Sequence, residues 1–230
     1  GAPAENQVYA DTHGNIGWIP GGLTAIRPNW DGLWPVPGDG RYEWSGFRDI
    51  DELPSAFNPA SGYVVTANEN NIPPDHPAAT KGIGYEWSDA ARSQRLKAIF
   101  AAKSRFSLED SERMQTDTTS THAQRMAAVL RTVKTDDARV AQALAMLASW
   151  SGNESRDSAA GALFEVWFSK HLRPAVLEAA LGDANAKLAA PGDSTRVLML
   201  IENPSTGPVT LPDRDAVIFA SLRPALAEVR

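Results

Sequence analysis

The spacing of hydrophobic residues changes near residue 84 of this 230-residue chain. Before that point, short apolar runs alternate with clusters of glycine, proline and asparagine, which is typical of strands joined by turns. From Ser88 onward, apolar residues recur every three or four positions, as on one face of an α-helix. Because strands followed by helices indicate an α+β fold, we predict a β-rich part at residues 1–84 and a mostly helical part at residues 85–230.

The first part contains three predicted strand regions. A β-hairpin is expected over residues 7–19, where turn residues separate two apolar runs. Further strands are expected at Tyr42–Phe47 and Tyr63–Ala67, with a helical turn at Asp49–Phe57 between them. Residues 20–41 are rich in Gly, Pro and Trp and are predicted to form a long ordered loop.

Helix-start and helix-stop residues divide the second part into helical segments. Pro174 leaves the Lys170 carbonyl without its partner and should kink or divide the longest segment there, and Gly182 should end that segment. The predicted segments are 88–103 with Ser88 as N-cap, one that starts at Ser107, 121–132, 135–150, 159–181 capped by Asp157 or Ser158, 195–202 and 213–229.

Composition excludes several classes of function. The chain has no cysteine, so disulfides, thiolate metal sites and a cysteine nucleophile are excluded. A net charge of -6 argues against nucleic acid or an anionic membrane as the partner. No apolar run reaches the length of a membrane span, and residues 1–6 lack the basic start and apolar core of a signal peptide. The chain begins abruptly, as an excised piece would.

The common catalytic and metal-binding patterns are missing from the sequence. The histidines share no metal-ligand spacing, no glycine-rich phosphate loop occurs, and no serine stands in a G-x-S-x-G setting. The acidic pairs lie where helices are predicted to begin, which favours a structural role for them. Dinucleotide chemistry and the α/β-hydrolase nucleophile are therefore not supported.

Polar amides and tryptophans are the remaining candidates. Asn68, Asn70 and Asn71 follow the predicted strand Tyr63–Ala67. A side-chain amide at a strand end can hydrogen-bond a substrate carbonyl, although on spacing alone an asparagine there is more typical of a turn. Trp30 and Trp34, in the long loop, either line an acyl pocket or attach the loop to the core.

Several motifs, taken in order along the chain, resemble one enzyme family. They are Tyr9–Gly17, Pro35–Gly38, Tyr42–Trp44, Asp51–Pro54, Asn58–Arg92 and Gln115–Asp117. In this order they resemble the interior of the large subunit in the penicillin acylase family, whose members are N-terminal-nucleophile amidohydrolases. The resemblance runs from residue 1 to about residue 172.

The resemblance implies a fold, a reaction and roles for two residues. The first third would belong to the αββα sheet of N-terminal-nucleophile hydrolases. The reaction would be hydrolysis of linear amides, of penicillin type or with N-acyl side chains, through a serine acyl-enzyme. Asn68 would supply the side-chain amide of the oxyanion hole, with Asn70 or Asn71 as the alternatives if the register is shifted. Arg92 would orient the substrate or the amino terminus of the nucleophile, with Arg95 as the fallback.

Family members also bind a structural calcium, and this chain lacks most of the expected ligands. Thr80 and Lys81 stand near the place where the family carries an Asp. We therefore predict no metal site and no cofactor for this chain. In the complete enzyme calcium is possible, with only a backbone contribution from this chain near Gly32.

The family's chemistry needs a serine at the N-terminus of the large subunit, whereas this chain begins with Gly1. We therefore expect an internal fragment that is inactive alone. Its partners would be the remaining segments of the same precursor, namely the small subunit and the nucleophile-bearing part, together with a small-molecule amide substrate. Exported bacterial members imply a periplasmic or secreted location. The alternative is a non-catalytic α+β module in which the Trp-rich loop and residues 68–71 bind a small ligand.

Overall fold

Residues 5–79 and 83–229 are described by the structure, a computed structural model. The chain forms two compact units, Gly1–Ser93 and Gln94–Arg230. The domain division predicted near residue 84 from composition stays a prediction. The first unit holds the strands and the long loop, and the second holds most of the helices, so the α+β class is confirmed.

Strands β1 (Glu5–Ala10), β2 (Ile16–Gly21) and β3 (Ala56–Phe57) pair antiparallel in that order. The predicted hairpin is thereby confirmed. Its turn is held by Asp11, whose Oδ1 accepts hydrogen bonds from the His13 and Asn15 backbone N–H groups, each at 2.9 Å. Bonds from the Asn15 side chain and backbone lower the pKa of Asp11 to about 2. The carboxylate thus stays ionised and keeps the turn closed.

One side-chain bond ties the two hairpin strands together. The indole Nε1 of Trp18, a residue only 8% exposed, donates to Asn6 Oδ1 at 2.6 Å. Val8 lies opposite Trp18 in the register. Asn6, two residues before Val8, therefore contacts Trp18 diagonally on the same face of the sheet. A buried indole N–H needs such a partner.

The strand predicted at Tyr63–Ala67 is wrong. The segment is not a strand, and side chains rather than another strand satisfy the backbone N–H and C=O of its last residue. Ala67 N–H donates to the Glu69 carboxylate at 2.8 Å, and Ala67 C=O accepts from the Arg92 guanidinium at 2.7 Å. The β-branched composition indicated extended backbone, but a strand also needs a neighbour with free N–H and C=O groups.

The strand predicted at Tyr42–Phe47 is also wrong. Phe47 makes only an isolated bridge to Ala25, and Gly46 adopts φ +133°, which interrupts a regular ladder. The helical turn predicted at Asp49–Phe57 is shortened to a 3₁₀ turn at Ile50–Glu52, capped by the Asp49 carboxylate. Its last residues form β3 instead.

The helices agree well with the predicted segments. Most begin at a Ser or Asp whose side-chain oxygen accepts from a backbone N–H of the first turn, as Ser107, Asp137 and Ser158 do. Their bounds are α1 Ala91–Ala102, α2 Leu108–Gln115, α3 Thr121–Leu130, α4 Ala138–Ser149, α5 Ala159–Val166, α6 Arg173–Leu181, α7 Asp183–Ala189, α8 Ser194–Glu202 and α9 Arg214–Glu228.

Two details of the helices were predicted incorrectly. Asp89, not Ser88, accepts the hydrogen bond at the start of α1, from Ala91 N–H at 2.7 Å. Helix α7 was not predicted, because Gly182 was interpreted as the end of helical structure. Gly182 does end α6 in a left-handed conformation (φ +76°), but the chain resumes a helix at the next residue.

A π-helical segment, Trp167–Leu172, joins α5 to α6 without a break. Pro174 lies four residues after Lys170 and has no N–H to donate to its carbonyl, so a regular α-turn is not available there. The wider π-turn accommodates the missing hydrogen bond and confirms that the helix is perturbed near Lys170. The segment is central to the second unit, since Trp167 is fully buried and donates to Ser221 Oγ on α9 at 2.9 Å.

The core of the second unit lies among α3, α4, α5, the π-helical segment, α6, α8 and α9. Its most buried side chains include Met126, Leu147, Leu172, Leu198, Ile201, Ile218 and Leu222. None of the helices in the described part of the chain is long and apolar enough to cross a membrane.

We predict that Leu198→Ala destabilises the protein by about 2–5 kcal/mol, because a fully buried leucine leaves a cavity when it is truncated. Leu188→Ala is the matched control: Leu188 is also helical but 87% exposed, so its loss should change the free energy of unfolding by less than about 0.5 kcal/mol. Denaturant unfolding of both variants measures the difference. Equal effects would mean that α8 does not pack as described.

Candidate functional site

The three candidate asparagines lie in one bend, residues 67–71, which we name the asparagine bend. Asn68 adopts the left-handed conformation, φ +67°, which asparagine tolerates better than most residues with a side chain. Its backbone C=O accepts a hydrogen bond from Ser88 N–H at 2.9 Å. The backbone therefore turns sharply at Asn68 and leaves its side chain exposed.

Arg92, in the first turn of α1, holds the start of this bend. Its Nη2 donates to Ala67 C=O at 2.7 Å and to Asn68 Oδ1 at 2.8 Å. A guanidinium can only donate, so the amide oxygen of Asn68 must face Arg92 and the NH₂ group must point elsewhere. No described residue accepts a hydrogen bond from that NH₂. The structure thus brings together the two residues that the sequence singled out.

The neighbouring asparagines differ in what their amides do. Asn70 Oδ1 accepts from Ile72 N–H at 3.1 Å in a local turn. Asn71 Nδ2 donates to Asn6 Oδ1 at 3.2 Å, so part of its donor capacity is used in attaching the bend to the hairpin. Of these three asparagines, Asn68 and Asn70 have NH₂ groups that donate to no described residue. This geometry favours Asn68 or Asn70 over Asn71 as a donor to a ligand.

Glu69, between these two residues, was missed by the sequence analysis. It is only 4% exposed, and its Oε2 accepts from Ala67 N–H. The backbone of Ala67 is consequently held at its N–H by Glu69 and at its C=O by Arg92. A single acidic residue inside an amide cluster, next to an apolar run, was the available signal.

Arg95, the fallback for Arg92, has a different partner. Its Nε and Nη2 donate to the two carboxylate oxygens of Asp117 at 2.9 and 2.6 Å. Hydrogen bonds from Arg95 lower the pKa of Asp117 to about 2 and raise the pKa of the guanidinium. This bidentate pair ties α1 to the segment after α2. The geometry therefore favours Arg92 as the site arginine.

The two tryptophans of the long loop are positioned differently from each other. Trp30 Nε1 donates to the backbone C=O of Trp34 at 2.8 Å, whereas the Trp34 side chain is 76% exposed. Trp30 lines an open concavity of about 610 Å³ together with Tyr42, Trp44 and Phe47. Trp34, Asn68 and Arg92 do not line this concavity. A role for both tryptophans in one acyl pocket stays a prediction.

Comparison with known proteins identifies the family. The family model described as penicillin amidase matches residues 1–230. The chain belongs to the penicillin amidase family. An acyl-homoserine lactone acylase QuiP of Pseudomonas syringae pv. tomato is 29% identical over 192 residues, which cover 75% of this chain and 22% of that protein. The penicillin G acylase of Escherichia coli is 33% identical over 105 residues, covering 45% of this chain and 12% of that protein.

A solved relative establishes that the fold is that of a penicillin acylase. The thermostable penicillin G acylase from Alcaligenes faecalis superposes with a TM-score of 0.71 at 23% identity, covering 99% of this chain and 47% of that one. The chain spans about a fifth of the length of the first curated relatives it matches. The resemblance seen in the motifs is thereby confirmed, over the whole chain rather than only to residue 172.

The family resemblance implies a calcium ion in the complete enzyme, and the described residues offer few candidate ligands for it. Residues 5–79 and 83–229 contain no group of three or more His, Asp or Glu side chains that could hold a metal ion. Beside Gly32, the Asp31 Oδ1 accepts from Leu33 N–H at 2.9 Å and so serves a turn. Thr80 and Lys81 lie outside the described residues. Calcium binding by the complete enzyme therefore stays a prediction.

Proposed function

We propose that this penicillin amidase family chain is part of an amidohydrolase that cleaves linear amides, of penicillin type or with N-acyl side chains, through a serine acyl-enzyme. The observation that carries the proposal is the asparagine bend. It presents an exposed side-chain amide whose oxygen is bonded to Arg92 and whose NH₂ is left to donate. Family membership and the similarity to several acylases support the reaction class.

The proposed chemistry places Asn68 at the developing charge. The serine hydroxyl gives its proton to the serine's own α-amino group as its oxygen bonds to the amide carbon, and the carbonyl oxygen takes the π-electron pair and becomes an oxyanion. When this intermediate collapses, the C–N bond breaks, the leaving nitrogen takes that proton and departs as the amine, and water hydrolyses the remaining acyl-serine to the acid and free serine. A preorganised N–H donor stabilises the oxyanion more than the ground-state carbonyl, so it lowers the barrier.

Arg92 supports this role in two ways. Its hydrogen bond to Asn68 Oδ1 fixes the orientation of the amide, so the donor needs no reorganisation during the reaction. Its positive charge also draws electron density toward the amide oxygen, which makes the NH₂ group a stronger donor. We further propose that Arg92 orients the substrate or the amino terminus of the nucleophile.

The remaining segments of the same precursor, the small subunit and the nucleophile-bearing part, are the proposed macromolecular partners. All residues of β1 are exposed, with Val8 at 59% and Tyr9 at 52%, and the outer edge of β1 pairs with no described strand. An open strand edge that carries exposed apolar side chains is suited to pairing with a further strand. We propose a periplasmic or secreted location for the complete protein.

We predict that Asn68→Ala in the complete enzyme leaves the fold intact and lowers kcat roughly 10²- to 10³-fold, the usual effect of removing one oxyanion donor. Asn71→Ala should lower kcat much less than Asn68→Ala, because the Asn71 NH₂ donates to Asn6 and attaches the bend to the hairpin rather than contacting the substrate. Measuring kcat and the melting temperature for alanine variants at positions 68, 70 and 71 tests this. A loss of kcat in the position 70 variant alone would identify Asn70 as the oxyanion donor. Normal kcat in all three variants would show that the asparagine bend does not supply the donor.

We predict that Arg92→Lys lowers kcat even though the charge is retained. One guanidinium nitrogen donates to both Ala67 C=O and Asn68 Oδ1 from a fixed plane, and a shorter, differently shaped ammonium does not reproduce that geometry. Arg95→Lys is the matched control and should leave kcat near wild type, since Arg95 is bonded to Asp117. Indistinguishable kcat values would remove the support for Arg92.

We predict that residues 1–230 alone hydrolyse no amide, whereas the complete precursor does. An oxyanion donor accelerates the reaction only when a nucleophile forms the tetrahedral intermediate, and we place that nucleophile outside these residues. A chromogenic phenylacetyl or fatty-acyl amide, assayed with the purified chain after verification by intact mass, tests this. Saturable turnover that disappears on mutating a serine within residues 1–230 would refute the assignment.

A further inference from the structure

We propose that Glu69 is a positioning residue, whose buried carboxylate holds the asparagine bend in the conformation that presents its donor amides. The inference rests on the proposed function, because it concerns the same site. Glu69 lies between Asn68 and Asn70 and is 4% exposed, whereas both asparagines are exposed. The side chains at 68 and 70 thus point to solvent, and the one at 69 points into the unit.

The geometry shows how Glu69 acts on its neighbours. Its Oε2 accepts from Ala67 N–H at 2.8 Å, so the side chain reaches back two residues and closes a ring around Asn68. Ala67 C=O is bonded at the same time to Arg92 Nη2 at 2.7 Å. The two peptide groups that flank Ala67 are therefore each held by one hydrogen bond, the first through the Ala67 N–H and the second through the Ala67 C=O, which restricts the backbone that leads into Asn68.

The chemistry of the residue fits this task better than a role in packing. A buried carboxylate is unfavourable unless it is hydrogen-bonded, and an apolar side chain would fill the same space without that penalty. A carboxylate gives a stronger, shorter bond to a backbone N–H than a neutral acceptor does. The left-handed conformation of Asn68 is less favourable than a right-handed one even for asparagine, and surrounding hydrogen bonds help to hold it. Glu69 supplies one of those bonds.

A positioning role predicts coupling between Glu69 and the donor amide. In Glu69→Ala the Ala67 N–H loses its acceptor, the bend relaxes, and the donor moves away from the oxyanion. We expect kcat to fall roughly 10- to 100-fold with little change in KM, because a displacement of about 1 Å at a reacting centre has an effect of that size on the rate. Adding Glu69→Ala to the donor-removing variant, Asn68→Ala or Asn70→Ala, should then cost almost nothing further.

Two further substitutions separate the acceptor from the charge. Glu69→Gln keeps an acceptor oxygen at the same distance along the side chain and should restore most of the kcat. Glu69→Asp keeps the charge but is one methylene shorter, so it should not reach Ala67 N–H and should resemble alanine. The matched control is Glu52→Ala, which removes a carboxylate bonded to Asp49 N–H in the same unit and should leave kcat unchanged.

The experiment measures kcat, KM and melting temperature for these variants in the complete mature enzyme, with a chromogenic amide. The proposal is overturned if Glu69→Ala keeps its kcat, if its effect adds fully to that of the donor variant, or if Glu69→Gln is as slow as alanine. If Glu69→Ala does not fold, the kcat values of Glu69→Gln and Glu69→Asp decide instead, and a Gln variant that is as slow as the Asp variant overturns the proposal. Alanine variants at 68 and 70 that both keep full kcat would instead refute the proposed oxyanion role, and the Glu69 proposal with it.

Discussion

The two hydrogen bonds from Arg92 to the asparagine bend connect the parts of the first unit on which the candidate site depends. One nitrogen contacts both a backbone carbonyl and a side-chain amide oxygen, so it fixes the path of the chain and the orientation of the amide together. Since a guanidinium has no acceptor, only one orientation of the Asn68 amide satisfies it. The direction of the donor therefore follows from the identity of residue 92.

The helical part of the chain was largely predictable because its signals are local. A Ser or Asp before an apolar repeat marks a helix start within one residue, and Pro174 marked the perturbed turn. Helix α7 was missed because the left-handed residue Gly182 ends one helix and also allows another to begin directly after it. Sequence spacing alone does not distinguish these two outcomes.

The strands were predicted less well because pairing is not a local property. The hairpin carries its own partner and turn, and it was predicted correctly. Tyr63–Ala67 has the composition of a strand, yet the backbone N–H and C=O of Ala67 are bonded to the side chains of Glu69 and Arg92 instead of to a neighbouring strand. Asn68 and Arg92 were predicted as site residues from the family resemblance rather than from their spacing in the sequence. Their contact, across 24 residues of sequence, required the structure.

Asn6 makes the hairpin and the asparagine bend mechanically dependent on each other. Its side-chain oxygen accepts from Trp18 Nε1 and from Asn71 Nδ2, so one amide joins β1, β2 and the bend. Successive residues of a strand face opposite sides of the sheet, and a slip of one residue would carry Asn6 to the other face. The bend would then lose this hydrogen bond to the hairpin although nothing within the bend had changed. The Asp11 turn, which sets the register of the hairpin, is therefore a remote determinant of where the donor amides lie.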